Sequence, residues 1–148
     1  MKQEPLLRTF EKFKARLKKA GLKATAQRLA VHEAMTELGH ASADMVSQWL
    51  DENSTTHITV ASVYNILTQL SELGIYSYRM SANNKMYFDV NTTGHMHVYD
   101  CENHSFRDLM DERLYEDILQ RIGSRRFRGY RIEGVDIQFI VRPTRRRP

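Results

Sequence analysis

The stretch Phe88–Leu109, FDVNTTGHMHVYDCENHSFRDL, constrains the fold most, because it gathers imidazoles and carboxylates in a segment that alternates like paired strands. His95 and His97 are two residues apart, so on a strand they share a face and form a chelating pair. Val98–Asp100 and Ser105–Leu109 read as the arms of a hairpin turning at Glu102-Asn103, a register that sets His97 directly opposite Asp108. Asn tolerates positive φ and Glu does not favour it, so the turn signal is fair only.

A chain of 148 residues can be one domain, or two small ones that lean on each other or on a second subunit. It carries no apolar run long enough to cross a bilayer and no signal-peptide pattern, which predicts a soluble, cytoplasmic protein. The single cysteine, Cys101, excludes an intramolecular disulfide and any four-cysteine zinc site within one chain. The formal charge is only +4, but it is segregated. Basic residues crowd the chain up to Arg28, Lys14 among them, and none occurs from Leu29 to Tyr78. That distribution is a footprint for a polyanion such as nucleic acid, although a solvated helix face would look similar. The terminal run with Arg142, Arg145, Arg146 and Arg147 reads as a frayed, soluble end.

Leu6, Phe10, Phe13 and Leu17 recur at helical spacing until Gly21. A second helix runs from Thr25, whose hydroxyl can cap it, through Val31, Met35 and Leu38 to Gly39; a third follows Ser42 and turns Met45, Val46, Trp49 and Leu50 inward. The fourth has Thr59 as its cap and Gly74 just past its end, with Val60, Val63, Leu67 and Leu70 as the apolar stripe. Its other face presents Ser62, Asn65 and Gln69, with Tyr64 on the flank, uncharged groups that can meet base edges in a major groove. An amphipathic helix with a merely polar outside fits the same residues; Tyr64 could be core, and Arg28 could pair structurally as easily as touch phosphate. Ile75–Met80 and Lys85–Asp89 then form a hairpin about Ser81-Ala-Asn-Asn84. Helices followed by a recognition helix and a hairpin make a winged helix-turn-helix.

These residues resemble the ferric uptake regulator family of metal-dependent repressors. GLKATAQRLAVHEAM is similar to the family's opening helix pair, GHASADMV to its next helix start, and ITVASVYNILTQLSELGI to its recognition helix. FDVNTTGHMH is similar to its hinge and metal stretch, and GYRIEGVDIQFIV to its last strands. The resemblance implies an α+β architecture: a winged-helix domain at 1–89, a hinge at 90–94, and a small α/β dimerisation and metal-sensing domain at 95–148. The second domain would carry a helix over Met110–Ile122, with Leu114, Ile118 and Ile122 inward, and a strand through Ile132 to Val141. In the family's peroxide-sensing repressors the regulatory ligands match His40, Asp89, His95, His97 and Asp108. Uptake regulators usually carry Glu at the last position, so Asp108 tilts the resemblance to the peroxide-responsive branch. Departures matter too. Asp100 and Asn103 stand where the first of two CxxC pairs would hold a structural zinc, and no cysteine near the end offers the second, so that zinc is not expected. Gly94 and Met96 stand where ligands of an auxiliary site would be.

Three imidazoles and two carboxylates suit Fe(II) or Mn(II), and Zn(II) would also bind. The resemblance implies that a bound ion clamps the two domains of each chain in a homodimer on a palindromic operator in double-stranded DNA. With Fe(II), it implies peroxide sensing by oxygen insertion at His40 and His95. Rival readings are an iron- or zinc-uptake regulator without oxidation, a metalloenzyme with the same ligands, and a haem-responsive regulator using Cys101 or histidines. No further acid, base or nucleophile gathers near Phe88–Leu109, which argues against an enzyme. No membrane or small-molecule substrate is expected, and His32, His57 and His104 are read as ordinary polar residues.

Overall fold

Hydroxyl caps set three of the helix starts in the computed structural model of the chain, which describes residues 3–145 other than 93, 124 and 126. The chain divides into two compact units, Met1–Thr92 and Thr93–Pro148. In the first, α1 (Gln3–Lys19), α2 (Ala26–Leu38), α3 (Ala43–Asn53) and α4 (Val60–Glu72) follow in order. The side chain of Leu6 and residues Arg146 and Arg147 lie outside the described part. Thr25, Ser42 and Thr59 accept hydrogen bonds from the backbone N–H groups of Arg28, Met45 and Ser62, as N-caps do. After α4, Gly74 takes φ 74°, and Ile75 N–H reaches back to the Leu70 carbonyl at 2.9 Å. That left-handed residue ends the helix.

The core of this unit joins Phe13 and Leu17 of α1, Val31 and Met35 of α2, Val46 and Leu50 of α3, and Val63, Leu67 and Leu70 of α4. Each such side chain contributes about 1.5–3 kcal/mol by leaving water. Val60 does not belong to the stripe, because it is 43% exposed. It is the first helical residue, and its side chain leans back past the end of the core. Met45 and Trp49 are only half-buried.

The hairpin is shorter than the sequence predicts: β2 spans Ser77–Met80 and β3 spans Met86–Asp89, paired from Ser77 with Asp89 to Met80 with Met86. Ile75 and Tyr76 spend their N–H groups on the Leu70 carbonyl and so close the helix instead of extending the strand. Lys85 belongs to the turn, where its carbonyl accepts from Ser81 N–H and Asn84 takes φ 62°. A two-residue strand, β1 (His40–Ala41), adds to the other edge of β3, giving the order β1-β3-β2.

Tyr76 is buried, and its hydroxyl lies 2.6 Å from His32 Nδ1. The His32 ring stacks on Phe13 with centroids 4.0 Å apart. Burial holds the Tyr76 phenol well above its ordinary 10.0. Below pH 10 both states keep the phenol protonated; above it the unfolded chain loses this proton while the folded one retains it. Stability is therefore expected to fall as pH rises beyond about 10, and Tyr76→Phe to flatten that fall in melting curves taken across the alkaline range.

In the second unit β4 (Met96–Asp100) and β5 (Ser105–Leu109) pair antiparallel, with His97 opposite Asp108 and Asp100 opposite Ser105. This is the expected register. The four residues between the arms are those expected, but the left-handed one is His104 at φ 53°, not Glu102 or Asn103. Asp100 Oδ1 accepts the N–H groups of Glu102 (2.9 Å) and Asn103 (3.0 Å), while Asn103 Nδ2 donates to Oδ2 at 2.8 Å. The Asn103 side-chain bond leads the causes that lower the Asp100 pKa. Asp100 and Asn103 thus tie the loop together by hydrogen bonds.

Strand β6 spans only Gln138–Val141, parallel to β4 on its free edge, giving the order β5-β4-β6. Gln138 pairs with His97, so residues before 137 would face chain ahead of Met96, where no strand continues the ladder. Helix α5 spans Glu112–Gly123 and begins later than expected, because Asp111 Oδ1 accepts Leu114 N–H at 3.0 Å and caps it. Its apolar face is not inward as expected: no residue of α5 is buried, Leu114 is 38% exposed, and Ile118 and Ile122 are half-buried. One helix and three short strands are too few to cover that face. Among the described residues no helix is long and apolar enough to cross a membrane.

Candidate metal centre

In the first unit the β1–β3 ladder sets His40 directly against Asp89. His40 Nε2 lies 3.0 Å from Asp89 Oδ2, with the side chains 10% and 3% exposed. The other carboxylate oxygen, Oδ1, accepts Asn91 N–H at 2.8 Å, which fixes the plane of the group. A donor nitrogen and a donor oxygen thus emerge side by side at one end of the sheet. Periodicity could not find this pair, because β1 is two residues long; only the family resemblance named His40.

In the second unit the β4–β5 register supplies three more donors. His95 immediately precedes β4, and its ring lies 4.2 Å from that of His97, centroid to centroid. Asp108 Oδ1 lies 2.9 Å from His95 Nε2 and 3.4 Å from His97 Nε2. His97 is fully buried, and Phe106 meets its ring edge-on at 6.0 Å. Ligand atoms of His95, His97 and Asp108 lie within 4.8 Å of one another. Two imidazole nitrogens converging on one carboxylate oxygen are three electron-pair donors aimed at one point, and that donor set fits Fe(II), Mn(II) or Zn(II). Cys101 lies past the end of β4, where its N–H donates to the Val141 carbonyl, outside this cluster.

The residues proposed for DNA are partly engaged within the fold. Arg28 donates to the Lys23 carbonyl at 2.9 Å and to Gln69 Oε1 at 3.2 Å, so it ties the α1–α2 connection to α4. Tyr64 is 43% exposed, with its ring edge against Phe88 at 6.3 Å. Asn65 and Lys14 are exposed; Ser62 is half-buried and its hydroxyl accepts from Thr59 at 3.0 Å. Lys85 was not singled out from the sequence. It lines a groove with Tyr64 and Asn65 and pairs with Asp44 at 3.0 Å. Its one signal is being the sole cation of the hairpin turn.

The sequence profile of the ferric uptake regulator family matches residues 19–139. The chain belongs to the ferric uptake regulator family. A ferric uptake regulation protein of Haemophilus ducreyi is 33% identical over 115 residues, 72% of this chain and 76% of that protein. A peroxide-responsive repressor PerR of Staphylococcus epidermidis is 34% identical over 89 residues, 60% of this chain. The match spans only 58% of that PerR's own length. Among solved structures, the ferric uptake regulator of Pseudomonas aeruginosa with manganese shares the fold at TM-score 0.68 and 23% identity, over 88% of this chain and 97% of that one. Members of the ferric uptake regulator family are transcriptional regulators and not enzymes, which removes the metalloenzyme reading.

Proposed function

We propose that this ferric uptake regulator family member is a cytoplasmic, homodimeric, metal-dependent repressor whose His40, Asp89, His95, His97 and Asp108 hold one regulatory ion. The observation that carries the reading is the convergence of the buried His95 and His97 on one oxygen of the exposed Asp108 carboxylate, joined in the proposal by the His40–Asp89 rung. Residues 90–94 act as the hinge, so ligands from both units fix the winged helix relative to the dimerisation unit. Ser62, Tyr64, Asn65 and Gln69 face base edges, Lys14 faces phosphate, and Arg28 sets the Gln69 amide. A second copy covers the apolar surface that the chain leaves open, including Phe139, Ile140 and Tyr130.

The stimulus we favour is peroxide, supported by the short carboxylate Asp108 and by the relative described as a peroxide-responsive repressor. Fe(II), when bound, supplies the electrons that activate peroxide. In the net change one oxygen enters a C–H of the His40 or His95 imidazole, and the other leaves as water. An oxidised imidazole is a poorer ligand, and the hold on the hinge is lost. Sensing of metal without oxidation is the second reading, favoured by the Haemophilus relative's description as a ferric uptake regulation protein.

The experiment selects duplex DNA against Mn(II)-loaded protein and follows anisotropy of the selected duplex. Chelation of the metal is expected to weaken binding about 5–150-fold, the range of ordinary coupling between sites. Equal binding with and without metal would refute the repressor mechanism. Peroxide is expected to release the DNA from the Fe(II)-loaded protein and to leave the Mn(II)-loaded complex intact; retention in both would leave the second reading.

A further inference from the structure

In the second unit a cavity of about 480 Å³ opens beside His95. Gly94, Leu109, Met110, Tyr115 and Leu119 contribute to its wall. The Tyr115 ring lies so close to Gly94 that a methyl there would sit 3.0 Å from Cζ and 3.1 Å from Cε1. The missing side chain at Gly94 is what lets this aromatic wall stand beside His95. Met110 follows Asp108 by two residues, is 69% exposed and lines this cavity with His95. Methionine sulfur is soft and polarisable, and it takes up one oxygen readily.

We propose that Met110 is an oxidation site that intercepts peroxide-derived oxidant arising beside His95, so that its sulfur competes with the ligand imidazoles for oxygen. This rests on the peroxide reading given above. In the net reaction the O–O bond of hydrogen peroxide breaks and one oxygen bonds to the Met110 sulfur. The other oxygen leaves as water with both protons; the thioether is oxidised by two electrons and peroxide is reduced by two. Because a sulfoxide is reducible enzymatically whereas the residue is no ligand, Met110 consumes oxidant without opening the ligand set. It raises the peroxide dose at which His95 is lost.

The test uses the full chain, loaded anaerobically with Fe(II) or with Mn(II), treated with equimolar hydrogen peroxide and digested for peptide mass spectrometry. Met80, 46% exposed on β2 of the other unit, reports oxidation by peroxide in bulk. Met110 is the more exposed of the two, so the ratio of Met110 to Met80 sulfoxide in the manganese sample sets the bulk baseline, and that ratio is expected to rise several-fold in the iron sample. Met110→Leu, which keeps the apolar volume, is expected to raise the fraction of His95 that gains oxygen. If that ratio is the same in both samples while His40 or His95 gains oxygen, the interception is wrong and the peroxide reading stands. An unchanged His95 yield in Met110→Leu also overturns it. No added oxygen at Met110, His40 or His95 in the iron sample overturns both.

Discussion

Replacing His97 by alanine is expected to weaken Mn(II) binding by more than about 100-fold, the upper end of what loss of a group merely supporting a ligand costs. His97 is fully buried, with its ring set by Phe106 and by the strand pairing opposite Asp108. No neighbouring side chain can swing into its place, because the positions on either side along β4 point to the other face. Asp89→Ala in the first unit is expected to cause a loss of similar size, since the proposal gives one ion ligands from both units. Competition against a chromophoric chelator measures both variants. Weakening in His97→Ala alone would place the ion in the second unit by itself. His97→Asn, which keeps a polar group of smaller volume, and circular dichroism of the metal-free variants separate loss of a ligand from loss of the fold.

Leu67→Ala is expected to destabilise the winged-helix unit by about 2–5 kcal/mol, the cost of a large buried side chain plus the cavity it leaves. Leu67 is fully buried at the centre of α4, among side chains from the other three helices of the core. A domain has about 5–15 kcal/mol in all, so this one change removes a large share of it. Thermal melting should show a drop of about 4–8 °C for each kcal/mol lost. Val60→Ala, on the same helix and in the same apolar stripe by sequence, is expected to stay within about 0.5 kcal/mol because Val60 is exposed. Equal losses at the two positions would contradict the placement of α4.

The contrast between Leu67 and Val60 marks how far the residues could be read unaided. Apolar period located α1, and period with caps located α2 to α4, because Thr25, Ser42 and Thr59 are hydroxyl caps followed by apolar residues at helical spacing. They could not say where the core ends, and so could not separate Val60 from Val63. The β4–β5 register was legible because the His95–His97 alternation and the turn length leave few ways to pair the arms. The residue that takes positive φ there was not, since hydrogen bonds from the loop to Asp100 decide it and place His104 in that conformation. Strand β1 owes its existence to the edge of β3, and two residues carry no period of their own. The sequence likewise reads α5 as a buried stripe. The stripe is present, but the 56-residue unit has too little material to bury it, and no residue of α5 is buried. In the candidate centre, His97 and Asp108 followed from register, whereas His40 came only through resemblance.

Reciprocity links the metal to the DNA: if the ion favours the DNA-binding arrangement, the operator must tighten the ion by the same factor. Mn(II) affinity should therefore be measured on the full chain with and without a saturating duplex selected for binding. The account predicts Mn(II) bound about 5–150-fold more tightly in the presence of that duplex, matching the factor by which Mn(II) strengthens DNA binding. Identical Mn(II) affinities in the two conditions would contradict it.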